Sequence, residues 1–152
     1  MSRVQLALNV SDIDAAVEFY SKLFATEPAK RQPGYANFAV AEPPLKLVLI
    51  ESPDADSRLN HLGVEVTSAD EVAAAQSRLQ GEGMATATEE GVTCCYAVQD
   101  KVWVDDPDGA AWEVYTVLAD AEMPAGQLRT TDPEAEVACC SVTPDAAVAR
   151  CC

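Results

Sequence analysis

Hydrophobic and polar positions alternate at the start of the chain. Leu6, Leu8 and Val10 fall on one face of a strand, and Gln5 and Ala7 on the other. The pattern returns at an offset of 56 residues, where His61-Leu62-Gly63-Val64-Glu65-Val66-Thr67 matches Gln5-Leu6-Ala7-Leu8-Asn9-Val10-Ser11. Without a gap, Asp14 then meets Asp70, and Ser21-Lys22-Leu23 meets Ser77-Arg78-Leu79. Two copies of this length make a duplicated domain rather than a solenoid. A helix follows each strand. Ser11 and Thr67 are expected as N-caps, with Asp14 and Asp70 three residues on. Ile13, Ala16, Val17, Tyr20 and Phe24 recur at helical spacing and form the face that packs on the sheet. Gly81 and Gly83 stop the second helix.

Three further strands are predicted after each helix. They cover about 28–32, 35–40 and 45–51 in the first module, and 84–88, 92–98 with 101–105, and 110–118 in the second. Asp105-Asp106-Pro107-Asp108-Gly109 is a strong turn into the last of them. The fold class is therefore α+β: two βαβββ modules, about 3–55 and 59–119, curl around a shared cleft in a domain covering 1–119. Residues 120–152 are rich in Ala, Asp, Glu, Pro and Thr, lack periodicity and read as a mobile tail.

The faces turned away from the helices carry the chemistry. Gln5 and His61 are equivalent in the repeat, and each is followed two residues later by a small residue that leaves space, Ala7 or Gly63. On the last strand Ala111, Glu113 and Tyr115 share a face. A carboxylate within Trp112-Glu113-Val114-Tyr115 is costly to desolvate unless it is paired or ligated. Imidazole nitrogen, carboxylate oxygen and amide oxygen together suit a borderline divalent metal, and three protein ligands leave positions open. Taken singly, each residue has an ordinary reading: His61 a hydrogen-bonded core histidine, Glu113 a solvent-facing strand residue, Gln5 a surface amide.

Charge and cysteines narrow the partners. The 152 residues carry a formal net charge of -15, which argues against nucleic acid or an anionic membrane. Nearly half the chain is apolar, enough for a real core, yet no apolar run is long enough to span a bilayer. Met1-Ser2-Arg3-Val4 runs straight into the first strand without a secretory pattern, so a cytoplasmic location is expected. All six cysteines stand in adjacent pairs: Cys94-Cys95, Cys139-Cys140 and Cys151-Cys152. Neighbouring cysteines rarely bridge one another, so reduced pairs in a cytosolic chain suggest capture of a soft ion or semimetal.

The duplicated pattern, with Val10-Ser11-Asp12-Ile13-Asp14-Ala15-Ala16-Val17-Glu18-Phe19-Tyr20, resembles the vicinal-oxygen-chelate superfamily of glyoxalases, extradiol dioxygenases and bleomycin-resistance proteins. Glu90-Gly91-Val92-Thr93-Cys94-Cys95-Tyr96 through Trp103-Val104, followed by Asp106 to Tyr115, is similar to the ArsI-type organoarsenical C–As lyases and their cadmium-induced-protein relatives. The resemblance covers about residues 3–118. It implies Fe(II)- and O2-dependent cleavage of the carbon–arsenic bond in trivalent organoarsenicals, such as methylarsenite and trivalent aromatic arsenicals, with release of inorganic arsenite. By position it makes Gln5, His61 and Glu113 the iron ligands, and Cys94 and Cys95 the arsenic-binding thiols. Many relatives carry histidine where this chain has Gln5.

Adjacent residues on a regular strand face opposite sides, so Cys94 and Cys95 can hold one arsenic only in a turn or bulge. Lys101 is a cation able to favour their thiolates, and Tyr96, Trp103 and Tyr115 are candidates for lining an organic pocket. Cys139, Cys140, Cys151 and Cys152 are candidates for arsenical scavenging. The expected partner is a small molecule, and the protein a monomer or homodimer. Two other readings stand beside this one: another dioxygenase or glyoxalase of the superfamily, and a thiol-based arsenical or cadmium sequestration protein without turnover.

Overall fold

The alternation that opens the chain becomes strand β1 (Arg3–Val10) in the computed structural model, which describes residues 2–94 and 96–121. The remaining elements are α1 (Ile13–Phe24), β2 (Lys30–Gln32), β3 (Tyr35–Val40), β4 (Leu45–Glu51), β5 (Leu59–Glu65), α2 (Ala69–Gly81), β6 (Ala87–Cys94), β7 (Ala97–Asp105) and β8 (Ala111–Asp120). The expected βαβββ order is present twice. Cys95, Cys139, Cys140, Cys151 and Cys152 lie outside the described residues, as does most of the segment read as a tail.

The eight strands form one mixed, curled sheet in the order β2-β3-β4-β1-β5-β8-β7-β6. The modules join through antiparallel pairing of β1 with β5, where Gln5 faces Gly63 and Ala7 faces His61. Each first strand also pairs in parallel with the last strand of its own module, β1 with β4 and β5 with β8. This arrangement is a pseudo-two-fold, and it brings both first strands to the middle of the sheet.

Each helix covers one half of the convex side. Ile13 and Val17 of α1 pack with Phe38, Leu47 and Leu49, with Leu6, Leu8 and Val10 against the same cluster. Val72 and Leu79 of α2 pack with Val102, Val104 and Val114. Full burial of such side chains contributes about 1.5–3 kcal/mol each. The inward faces of the strands are left to line the concave side.

Local details differ from the sequence reading. The N-caps fall one residue later than expected: Asp12 accepts from the Ala15 N–H, and Ser68 from the Glu71 N–H. Thr67 instead donates its N–H and hydroxyl to Glu71 Oε2, a reciprocal clamp on the first turn of α2. The second-module hairpin is also displaced. β6 runs to Cys94 and β7 starts at Ala97, so the chain reverses after Cys94 rather than near residues 99–100. Tyr96 there has φ 66, a region that disfavours large L side chains. It carries no Gly, Asn or Pro to announce a turn. Lys30 Nζ donates to the Tyr96 carbonyl at 2.9 Å, and the Tyr96 ring lies 5.3 Å from Tyr35, so tertiary contacts hold the bend. β8 extends to Asp120, which pairs with Lys30.

Candidate metal centre

Strand parity places Gln5 and His61 on the concave face of adjacent strands, and the pairing of β5 with β8 sets Glu113 beside Gly63. Their functional atoms converge. Gln5 Nε2 lies 2.9 Å from His61 Nε2 and 2.6 Å from Glu113 Oε1, and His61 Nε2 lies 3.3 Å from Glu113 Oε1. Glycine at 63 makes room: a Cβ there would meet Glu113 Cγ at 3.0 Å and Gln5 Cβ at 3.3 Å. The three residues are only 2–3% exposed, so the surface readings of Gln5 and Glu113 do not hold. Metal bonds of about 2.1 Å at right angles set neighbouring ligand atoms about 3 Å apart, so the positions fit a single divalent ion once the Gln5 amide is turned to present Oε1 in place of Nε2. Among the described residues no group of three His, Cys, Asp or Glu side chains has that arrangement; here the third donor is an amide.

A hydrogen-bond relay fixes which nitrogen His61 presents. Asn9 Nδ2 donates to the Ser57 carbonyl at 2.9 Å, and that oxygen can only accept. Asn9 Oδ1 then accepts from Asn60 Nδ2 at 2.9 Å, leaving Asn60 Oδ1 to face His61 Nδ1 at 2.7 Å. The neutral imidazole therefore carries its hydrogen on Nδ1 and turns a lone pair on Nε2 toward Gln5 and Glu113. Asn60 reaches its neighbour because the β1–β5 register shifts there: Ala7 pairs with His61, but Leu8 pairs with Leu59. Simple alternation points Asn60 away from the cleft. Asn9 shares the parity of Gln5 and Ala7 and was legible on that ground, although the sequence reading passed over it.

Lys101 is fully buried and sits 3.2 Å from Glu113 Oε2, with its ammonium 5.3 Å from the Trp103 ring centroid. Its charge is thus engaged by Glu113 rather than standing free to activate a thiol. Burial pushes the Glu113 carboxyl up, but the Lys101 charge beside it acts the other way, and the carboxyl lies below its ordinary value. Trp103 stands edge-on to His61, 5.3 Å between centroids. Its Nε1, with Gln99 Oε1 on the same face of β7, is buried without a hydrogen-bond partner among the described residues. Tyr115 contacts Gln5 Oε1 and Glu65, and Glu65 pairs with Arg3 at 3.0 Å and Lys46 at 3.1 Å. Glu65, Lys46 and Arg3 were not singled out from the sequence, because charged strand residues ordinarily face water.

Tyr96 packs with Ala7, Tyr35 and Val48, and Ala7 is the cross-strand partner of His61. Tyr96 therefore lies on the concave face next to Gln5, His61 and Glu113. Cys94 itself is buried and disulfide-bonded in this structure. The pseudo-two-fold exposes one asymmetry. Ala7 lies beside Val48 in β4 as its counterpart Gly63 lies beside Glu113 in β8. Module one thus offers a valine where module two offers a carboxylate.

The glyoxalase/bleomycin resistance protein/dioxygenase superfamily model matches residues 3–114. The chain belongs to that superfamily. A trivalent organoarsenical cleaving enzyme of Thermomonospora curvata is 62% identical over 80% of this chain and 82% of its own length. The cadmium-induced protein CadI of Mycobacterium tuberculosis is 60% identical over 91% and 93%. Among solved structures, the Mn(II)-bound glyoxalase from Novosphingobium aromaticivorans superposes with TM-score 0.58 at 23% identity, covering 84% of this chain and 44% of that one. That likeness concerns the fold. No helix among the described residues is long and apolar enough to cross a membrane.

Proposed function

We propose that this protein cleaves the carbon–arsenic bond of trivalent organoarsenicals with Fe(II) and O2, releasing inorganic arsenite, with Gln5, His61 and Glu113 as the iron ligands. The observation that carries the reading is the convergence of these side chains, 2.6–3.3 Å apart, on the face where Tyr96 packs against Ala7, the cross-strand partner of His61. A relative of 62% identity named a trivalent organoarsenical cleaving enzyme supports it. Fe(II), when bound, supplies redox capacity and open positions for O2 beside the substrate. Cys94 and Cys95, once reduced, hold trivalent arsenic, which prefers thiolate sulfur. Capture of the arsenic fixes where its organic substituent lies, and proximity is then the main contribution of the chain. His61 presents Nε2 through the Asn9–Asn60 relay, Lys101 balances the Glu113 charge, and Tyr96 with Tyr35 keeps water from that side of the cleft.

The test uses full-length protein, reduced and loaded anaerobically with Fe(II). Trivalent methylarsenical is added, air admitted, and inorganic arsenite measured. Multiple turnovers are expected, and they vanish in Cys94→Ser and His61→Ala. The relationship to a cadmium-induced protein favours one other reading, thiol-based sequestration. Stoichiometric binding without arsenite release supports that reading and sinks the enzyme.

A further inference from the structure

Gln5 is a neutral amide whose two terminal atoms are alike in shape and opposite in chemistry. Nε2 faces His61 Nε2 and Glu113 Oε1, while Oε1 contacts the Tyr115 hydroxyl at 2.5 Å. The same hydroxyl lies 2.8 Å from Glu65 Oε2. A phenol carries one hydrogen, and both contacts call for it. Glu65, bracketed by Arg3 at 3.0 Å and Lys46 at 3.1 Å, is a carboxylate that can only accept. When Tyr115 donates to Glu65, its oxygen turns a lone pair toward Gln5, and only Nε2 of the amide satisfies it. A half-turn of the amide then brings Oε1 to face His61 Nε2 and Glu113 Oε1. Three acceptors now converge with no hydrogen between them, an arrangement that a cation relieves. The amide thus has two settings. In this structure Nε2 donates into the cleft; in the other setting Oε1 would face a bound ion and Nε2 would donate to Tyr115.

We propose that Tyr115 and Glu65 are a positioning pair that holds the Gln5 amide with its oxygen toward the metal, making a neutral side chain serve as the third ligand. The proposal rests on the metal site inferred above and concerns what makes position 5 competent. Lys46 and Arg3 act one step further out by keeping Glu65 an acceptor. The Lys46 ammonium also sits 4.9 Å from the Tyr115 ring centroid, which steadies the phenol from one face.

The probe is Co(II) alone, whose visible absorption reports ligand number and type, with no arsenical or O2 needed. Binding is titrated in the full chain and in Tyr115→Phe, Glu65→Gln, Gln5→Glu and Gln5→Glu/Tyr115→Phe. Tyr115→Phe should weaken binding about 10–100-fold, as loss of such a supporting partner does, and alter the absorption bands. Gln5→Glu has two identical oxygens and no orientation to set. In that background Tyr115→Phe should cost less than about threefold. Glu65→Gln removes the obligate acceptor while keeping shape, so it should weaken Co(II) in the same direction by a smaller factor. Equal losses in both backgrounds would mean that Tyr115 serves only packing, and the positioning proposal falls while the metal site stands. Absence of Co(II) and Fe(II) binding in the unmodified chain overturns the site itself.

Discussion

Lys101 and Glu113 offer the sharpest energetic test. Their side chains are 0% and 2% exposed and their charges 3.2 Å apart. At an effective dielectric of about 20 the attraction is about 5 kcal/mol. Removing one partner of such a pair typically costs about 3–5 kcal/mol, because the other charge is stranded in a dry interior. That is a large share of the 5–15 kcal/mol available to a typical domain, so Lys101→Met should lower stability severely despite keeping the volume beside Trp103. Glu113→Gln strands the ammonium and should be similarly costly. The double variant removes both charges of the pair and should sit closer to the unmodified protein than the sum of the singles, with coupling of at least about 2 kcal/mol. Urea unfolding of the four chelator-treated proteins at neutral pH closes the cycle. Additive losses within about 0.5 kcal/mol would refute the buried pair. A corollary uses the metal: Co(II) should recover part of the Lys101→Met loss, because it neutralises the stranded carboxylate.

Val48→Glu gives module one the carboxylate that its counterpart Glu113 gives module two. The metal-free variant should be destabilised and Co(II) should raise its melting temperature more than that of the unmodified protein; an equal rise speaks against the symmetry argument. Gly63→Ala places a methyl 3.0 Å from Glu113 Cγ and 3.3 Å from Gln5 Cβ, so it should cost about 1–3 kcal/mol and weaken Co(II) several-fold. Unchanged Co(II) affinity would show that the donors are not held as tightly as the structure indicates. For Glu65, burial raises the pKa but Lys46, the Tyr115 hydroxyl and Arg3 together hold it below 4.5. A depressed folded-state pKa means stability present above the unfolded value and lost as pH falls through the folded one. Acid titration of unfolding should show this loss below pH 4.5, and Glu65→Gln should flatten that part of the curve.

The repeat carried most of the architecture. Leu6, Leu8 and Val10 against Leu62, Val64 and Val66 are local alternations, and alternation assigns faces before any contact exists. The helix faces, the two-module order and the inward parity of Gln5, His61 and Glu113 follow from such short-range periodicities. The hairpin after Cys94 did not. Its bend rests on a positive φ at Tyr96 that Lys30 and Tyr35 enforce from the other module, and no turn residue marks it.

The site divides in the same way. Periodicity told which residues face the cleft, since a side chain's face depends on counting along one strand. It could not tell that they meet, because convergence depends on register between strands 56 and 108 residues apart in sequence. A one-residue shift opposite Leu8 turns Asn60 toward His61 and thereby sets the tautomer. Pairing of β7 with β8 brings Lys101 to Glu113, and pairing of β1 with β5 brings Arg3 to Glu65. Sequence determined the ligand types and their faces; tertiary structure decided their distances, their charge partners and the hydrogen each could spare, because those properties exist only between strands.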